Sequence, residues 1–181
     1  MKFGNRNNFS IDVAVDDVPE MPNGMWGRLR LWVKEIPIGN FDEPMCGLAT
    51  THMGFSRLLK NKGILWRDEF AELSPTELWN LLDGTLYGYH MDAKVHHMKY
   101  DYNSEYSKFD IITGWGEMFD QDPRSKGFIF EHPSGVVRIL TPDAARKSVE
   151  TYNVNKIEFY KCVSEFCEWF RKLEDAKWEN A

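Results

Sequence analysis

Residues 26–33, "WGRLRLWV", alternate without a break. Trp26, Arg28, Arg30 and Trp32 fall in one set, Gly27, Leu29, Leu31 and Val33 in the other. A period of two belongs to an extended strand, whose successive side chains leave on opposite faces. The chain must therefore build a sheet with one aliphatic face and one face of tryptophan and arginine. The second face is either a decorated core or a surface that meets something outside the protein. "EIPIGNF" (35–41) follows as a short turn with a second strand of its own.

The same period marks "FSIDVAV" (9–15). "DDVPEMPNG" (16–24), with two prolines and Asn23-Gly24, reads as the turn between them. The first part of the chain is thus an antiparallel meander. Leu48, Phe55, Leu58 and Leu59 fall at helical spacing, and Gly63 stops that helix. "SPTELWNLLDGTL" (74–86) is a second helix. Ser74 is its N-cap, Pro75 its first residue, and Glu77 completes a capping box. "KVHHMKY" (94–100) reads as a short strand followed by a loop. "FDIITGWGEMFDQDPRSKG" (109–127) reads as a strand with a glycine-rich bend and an acidic loop.

"GFIFE", "HPSG" and "VVRIL" (127–140) form a hairpin, "TPDAARK" a turn and "SVETYNV" a last strand. Phe159, Val163, Phe166, Phe170 and Leu173, spaced by four and three, make a closing amphipathic helix. Strands run first, then helices, strands and a helix, which rules against a regularly alternating parallel sheet. The expected fold is α+β: one domain over residues 1–181, with an antiparallel sheet of about six strands and helices packed on one face. A chain of 181 residues suits a single core.

The formal net charge is −6. That argues against a general nucleic-acid binder, which needs lysine and arginine to displace counterions, and suits a basic partner. Cys46, Cys162 and Cys167 have no paired spacing and read as reduced thiols. The start, "MKFGNRNNFSIDV", has no signal-peptide apolar core, and no window reaches the length of a membrane span. The expectation is a cytoplasmic protein without membrane contact.

Gly4-Asn5-Arg6, Phe9-Ser10-Ile11, Trp26-Gly27-Arg28, Trp32 and Ile38-Gly39-Asn40-Phe41 keep an order and spacing that resemble the N-terminal signature of the immunity protein 42 family of bacterial polymorphic toxin systems. Asn40 stands where that pattern commonly has Asp, and "DEPMCGL" replaces the usual glycine-containing entry to the helix. Residues 3 to about 60 carry most of the match, 109–171 agree weakly, and 61–108 have no counterpart. The resemblance implies a protein that binds and neutralises a cognate toxin, a polymorphic toxin or contact-dependent effector, with no cofactor and no catalytic residue of its own. It also implies that the signature strands are scaffold. The tryptophans would then cover a sheet face beneath a helix, with arginine stems beside them. Alternatively, Arg28 and Arg30 reach a carboxylate-rich partner.

Other constellations compete with this reading. His90, His97 and Asp92 could serve a small metal-dependent hydrolase, but in a strand His96 and His97 point to opposite faces. Cys46 precedes a helix near His52, a possible thiol–imidazole pair without an orienting third group. Asp120-Gln121-Asp122 could hold a divalent cation or be a solvated loop. Gly114-Trp115-Gly116 lacks the third glycine of a phosphate cradle. A non-toxin adaptor is the remaining alternative. For a partner-binding surface the best residues are Tyr100, Asp101, Tyr102, Glu105 and Tyr106. Tyrosine buries much area at little entropic cost, and acidic neighbours select a basic toxin.

Overall fold

The computed structural model describes residues 1–17, 25–42, 46–87, 104–112, 126–143 and 148–179. Strand β2 (Phe9–Val15) is central to a first sheet. It pairs antiparallel with β1 (Lys2–Asn5) and with β3 (Trp26–Val33). The far edge of β3 carries β4 (Ile36–Ile38) at one end and β5 (Cys46–Gly47) at the other. A second antiparallel sheet runs β6 (Asp110–Ile112), β7 (Lys126–Glu131), β8 (Val136–Pro142) and β9 (Val149–Asn155), paired in that order. The α+β antiparallel class is as expected. The strands, however, divide between a five-stranded and a four-stranded sheet instead of forming one sheet of about six. "KVHHMKY" lies outside the described residues.

Helices α1 (Leu48–Lys60) and α3 (Lys156–Glu179) each touch both sheets, and they touch each other. Their apolar stripes fill the space between. Phe166 of α3 meets Phe3 edge-on at 6.0 Å and Phe55 of α1 at 5.5 Å, while Phe159 lies 4.7 Å from Phe9. Helix α2 (Pro75–Tyr87) covers the second sheet through Trp79, 4.8 Å from Phe128. Its start is the capping box read from the sequence. Ser74 N–H and Oγ–H donate to Glu77 Oε2 at 2.9 and 2.6 Å, and Glu77 N–H donates back to Ser74 Oγ at 3.3 Å. Phe70, Phe109 and Phe130 form an aromatic triangle with centroids 5.2–5.3 Å apart.

The alternation of β3 holds, but its buried face is the opposite of the one expected. Leu29, Leu31 and Val33 are fully buried on the side that packs against α1, and the tryptophans and arginines lie on the half-exposed outer face. An aliphatic face can be stripped of water completely, whereas a guanidinium cannot without a large desolvation cost. Two glycines of the signature are required by this packing. A Cβ on Gly27 would strike the carbonyl of Ala14 and come within 2.8 Å of Leu48 Cδ1. Gly4, at φ +74°, would meet the Phe9 carbonyl and Cys162 Sγ of α3.

Three turns converge beside this sheet. Lys34 and Glu35, the two-residue turn between β3 and β4, both have positive φ, 49° and 69°, as in a type I′ hairpin. Neither residue favours that conformation, yet their amides donate to the carbonyls of Asn8 and Arg6 at 3.0 and 2.9 Å, which holds them there. Asn8 Oδ1 in turn accepts Asn155 N–H at 2.8 Å. Asn155 Oδ1 caps α3 by accepting the amides of Ile157 and Glu158.

Candidate functional site: the polar surfaces of the two sheets

On the outer face of the first sheet, Asp12 sits opposite Arg30 and is only 3% exposed. Its Oδ2 accepts Trp32 Nε1–H at 2.9 Å and Arg6 Nη2–H at 2.6 Å, with Arg30 Nη2 at 3.5 Å. The guanidiniums of Arg6 and Arg30 lie 4.1 and 4.4 Å from the Trp32 ring centroid, and Arg30 also approaches Phe41 at 5.2 Å. Burial pushes the Asp12 carboxyl up. The hydrogen bonds from Trp32 and Arg6 and the charges of Arg6 and Lys2 outweigh it, so the group titrates below the usual range. Arg28 pairs with Asp16 at 3.3 Å. Both arginines singled out in β3 are thus engaged by carboxylates of the same chain.

A second polar cluster sits where the segment after α1 crosses the second sheet. Glu131 of β7 reaches back to that segment, and its Oε2 accepts the amides of Gly63 and Leu65. Its Oε1 meets Lys156 Nζ at 2.8 Å. Burial raises the Glu131 carboxyl, but the bonds from Lys156, Tyr160, Gly63 and Leu65 prevail and hold it below its ordinary value. The Tyr160 phenol is pushed up by burial and by the adjacent Glu131 charge. Further along, Arg67 binds Glu69 at 2.9 Å and Glu105 at 3.2 Å, and it lies 5.2 Å from the Tyr106 ring.

Of the residues favoured for partner binding, Tyr100, Asp101 and Tyr102 lie outside the described residues. Glu105 is exposed. Tyr106 packs into the core beside Phe70 and Phe109, 8% exposed, and its hydroxyl donates to Glu69 Oε1 at 2.9 Å. The 3₁₀ turn Ser104–Phe109 explains this, because residues three apart eclipse in that geometry and Tyr106 and Phe109 face inward together. Arg67, Glu69 and Glu131 were not singled out in the sequence. Only the Tyr106-x-x-Phe109 spacing could have pointed to this corner.

The candidate chemical groups are held in structural roles. Burial pushes the Cys46 thiol up to about 11 and Cys162 up to about 12, and it raises Cys167 as well. Cys46 bonds Thr51, whereas His52 Nε2 pairs with Ser56 Oγ at 3.2 Å and stacks on Phe170 at 4.5 Å. Burial keeps His52 below its ordinary pKa. His90, Asp92, His96, His97, Gly114, Trp115, Gly116, Asp120 and Asp122 lie outside the described residues. Among the described residues no three of His, Cys, Asp or Glu stand close enough to hold a metal ion, and no helix is long and apolar enough to cross a membrane.

The model of the immunity protein 42 family matches residues 1–169. Among solved structures, CdiI from Burkholderia dolosa AUO158 is similar in fold. The match has a TM-score of 0.59 and 13% identity, and it covers 91% of this chain and 97% of that one. No curated protein is significantly similar in sequence. The signature glycines and the Arg–Trp–Asp cluster lie within the matched region, which spans all but the end of α3. The chain therefore belongs to the immunity protein 42 family and is a toxin-neutralising immunity protein.

Proposed function

We propose that the chain, acting as one domain over residues 1–181, neutralises its cognate toxin in the cytoplasm by stoichiometric binding alone, without catalysis or cofactor. The observation that carries this is the family match over residues 1–169. The state of the reactive side chains supports it. Every thiol is buried and protonated at neutral pH, and His52 is tied to Ser56 beneath Phe170. The net charge of −6 favours a basic toxin, whose approach it accelerates.

The partner-binding residues proposed are Tyr100, Asp101, Tyr102, Glu105 and Tyr106, with different roles for the last two. Glu105 offers an exposed carboxylate steadied by Arg67, and Tyr106 anchors the end of the segment in the core. Co-expression with the toxin encoded beside it should restore growth, and calorimetry should give a one-to-one complex. Growth arrest that persists with both proteins present overturns the reading. Toxin that emerges covalently altered or cleaved overturns the non-catalytic mechanism while leaving the immunity role standing.

A further inference from the structure

An open pocket of about 440 Å³ lies between the end of α1 and the start of α3, lined by Lys62, Lys156, Ile157, Tyr160, Lys161 and Ser164. Three lysines at one spot are conspicuous on a chain of net charge −6. Lys156 is neutralised from below by buried Glu131. Lys62 has no carboxylate partner among the described residues. Its ammonium rests 4.8 Å from the Tyr160 ring, which holds it in place. Among the described residues Lys161 pairs only with Glu165, at 3.9 Å, and both are exposed, so solvent screens that pair. The lining itself holds these three lysines and no carboxylate. Beside it Ile157 stands 79% exposed, the most exposed large hydrophobic residue described, and Ile64 is also exposed. A site for a free small anion has no use for bare aliphatic rims, whereas a protein partner does.

We propose that this lysine pocket is a second half of the toxin-binding surface and takes an acidic side chain of the toxin flanked by an apolar residue. The proposal rests on the toxin-binding reading and adds where and how the complex is oriented. Lys62 and Arg67 are five residues apart, so their Cα atoms, one at the pocket and one at the Arg67–Glu105 corner, lie within about 18 Å of one another. One partner's share of an ordinary interface is roughly 30 Å across, which covers both. The two ends carry opposite charge, positive at Lys62 and Lys161 and negative at Glu105. A toxin that is basic overall but carries a carboxylate at one edge fits in one orientation and is repelled in the reverse. The ring contact on Lys62 and the Glu131 contact on Lys156 fix these side chains before binding, which reduces the entropy lost in the complex.

The test uses the full chain and the toxin domain whose growth arrest it relieves. Lys62→Glu with Lys161→Glu should weaken binding at least tenfold, and Ile157→Asp should weaken it to a similar extent. Lys172→Glu, on the far part of α3, should stay within twofold. All these side chains are exposed, so thermal melts should match the wild type. If the double reversal unfolds, Lys62→Gln with Lys161→Gln serves, with an expected loss of threefold or more. Binding within twofold of wild type in a folded lysine double variant overturns the pocket and leaves the immunity role intact. A wild-type chain that neither binds nor protects overturns both.

Discussion

The outer face of the first sheet and the pocket between α1 and α3 both present cations beside aromatic rings, yet they differ in where the charge goes. On the sheet, Arg6 and Arg30 converge on one buried carboxylate and stack on Trp32, and Arg28 is paired with Asp16. At the pocket, one lysine is neutralised from below and two are left facing outward. Arginine and tryptophan are the residues most often found at binding hot spots, but here their hydrogen-bonding capacity is largely spent within the chain. Residue type alone would nominate the sheet. The pairing of charges nominates the pocket.

The sharpest way to break this contrast is to remove the buried carboxylates. Glu131→Ala strands Lys156 and two backbone amides and should cost about 3 kcal/mol in a urea melt, the low end for breaking a buried pair because Lys156 remains partly hydrated. It should also weaken toxin binding, since Lys156 loses its fixed position. Asp12→Asn should cost less, about 2 kcal/mol, because Arg6 and Arg30 reach water and the Trp32 N–H keeps an acceptor. Its binding to the toxin should match wild type. A loss of affinity in folded Asp12→Asn protein would return the sheet face to the interface.

Acid should act through the same two groups. Both carboxyls titrate below their unfolded values, so the stability they contribute is fully present above the unfolded carboxylate range, about pH 4. It is lost as the pH falls through their folded values. The melting temperature should fall below about pH 4, and the double variant Asp12→Asn with Glu131→Gln should flatten that fall. The smallest effect belongs to Arg28→Ala. Its pair with Asp16 is part-exposed, and its loss should cost no more than about 0.5 kcal/mol and leave affinity unchanged.

Much of the scaffold was legible in the sequence because local periods report local structure. The Ser74–Glu77 box, the hairpin at 127–140 and the stripe from Phe159 to Phe170 all stand where their spacing puts them. The buried side of β3 was misjudged because two tryptophans drew attention from Gly27, whose lack of a side chain lets Leu48 and Ala14 close in. The division into two sheets was not legible, since which strand edges meet depends on contacts far apart in sequence. The same distance hid the pocket, where Lys62 and Lys161, 99 positions apart in the sequence, come together. It also hid Asp12, whose partners Arg6 and Arg30 arrive from two other segments. Tyr106 looked like a surface anchor by composition, and its turn geometry sends it inward.

Much of the lid on the first sheet is supplied by α3, far downstream of the strands it covers. Phe3, Gly4 and Phe9 lie beneath Phe166, Cys162 and Phe159, and Asn8 holds the amide of Asn155. During translation α1 follows β3 closely and can cover it early, but the ground that α3 covers on β1 and β2 waits while more than a hundred further residues leave the ribosome, on the order of ten seconds at ordinary elongation rates. A nascent chain in that interval carries its signature strands with part of their apolar side open to chaperones. Protection of the cell then waits for α3, so each new antidote molecule lags its own first strands by the time needed to reach and make that helix.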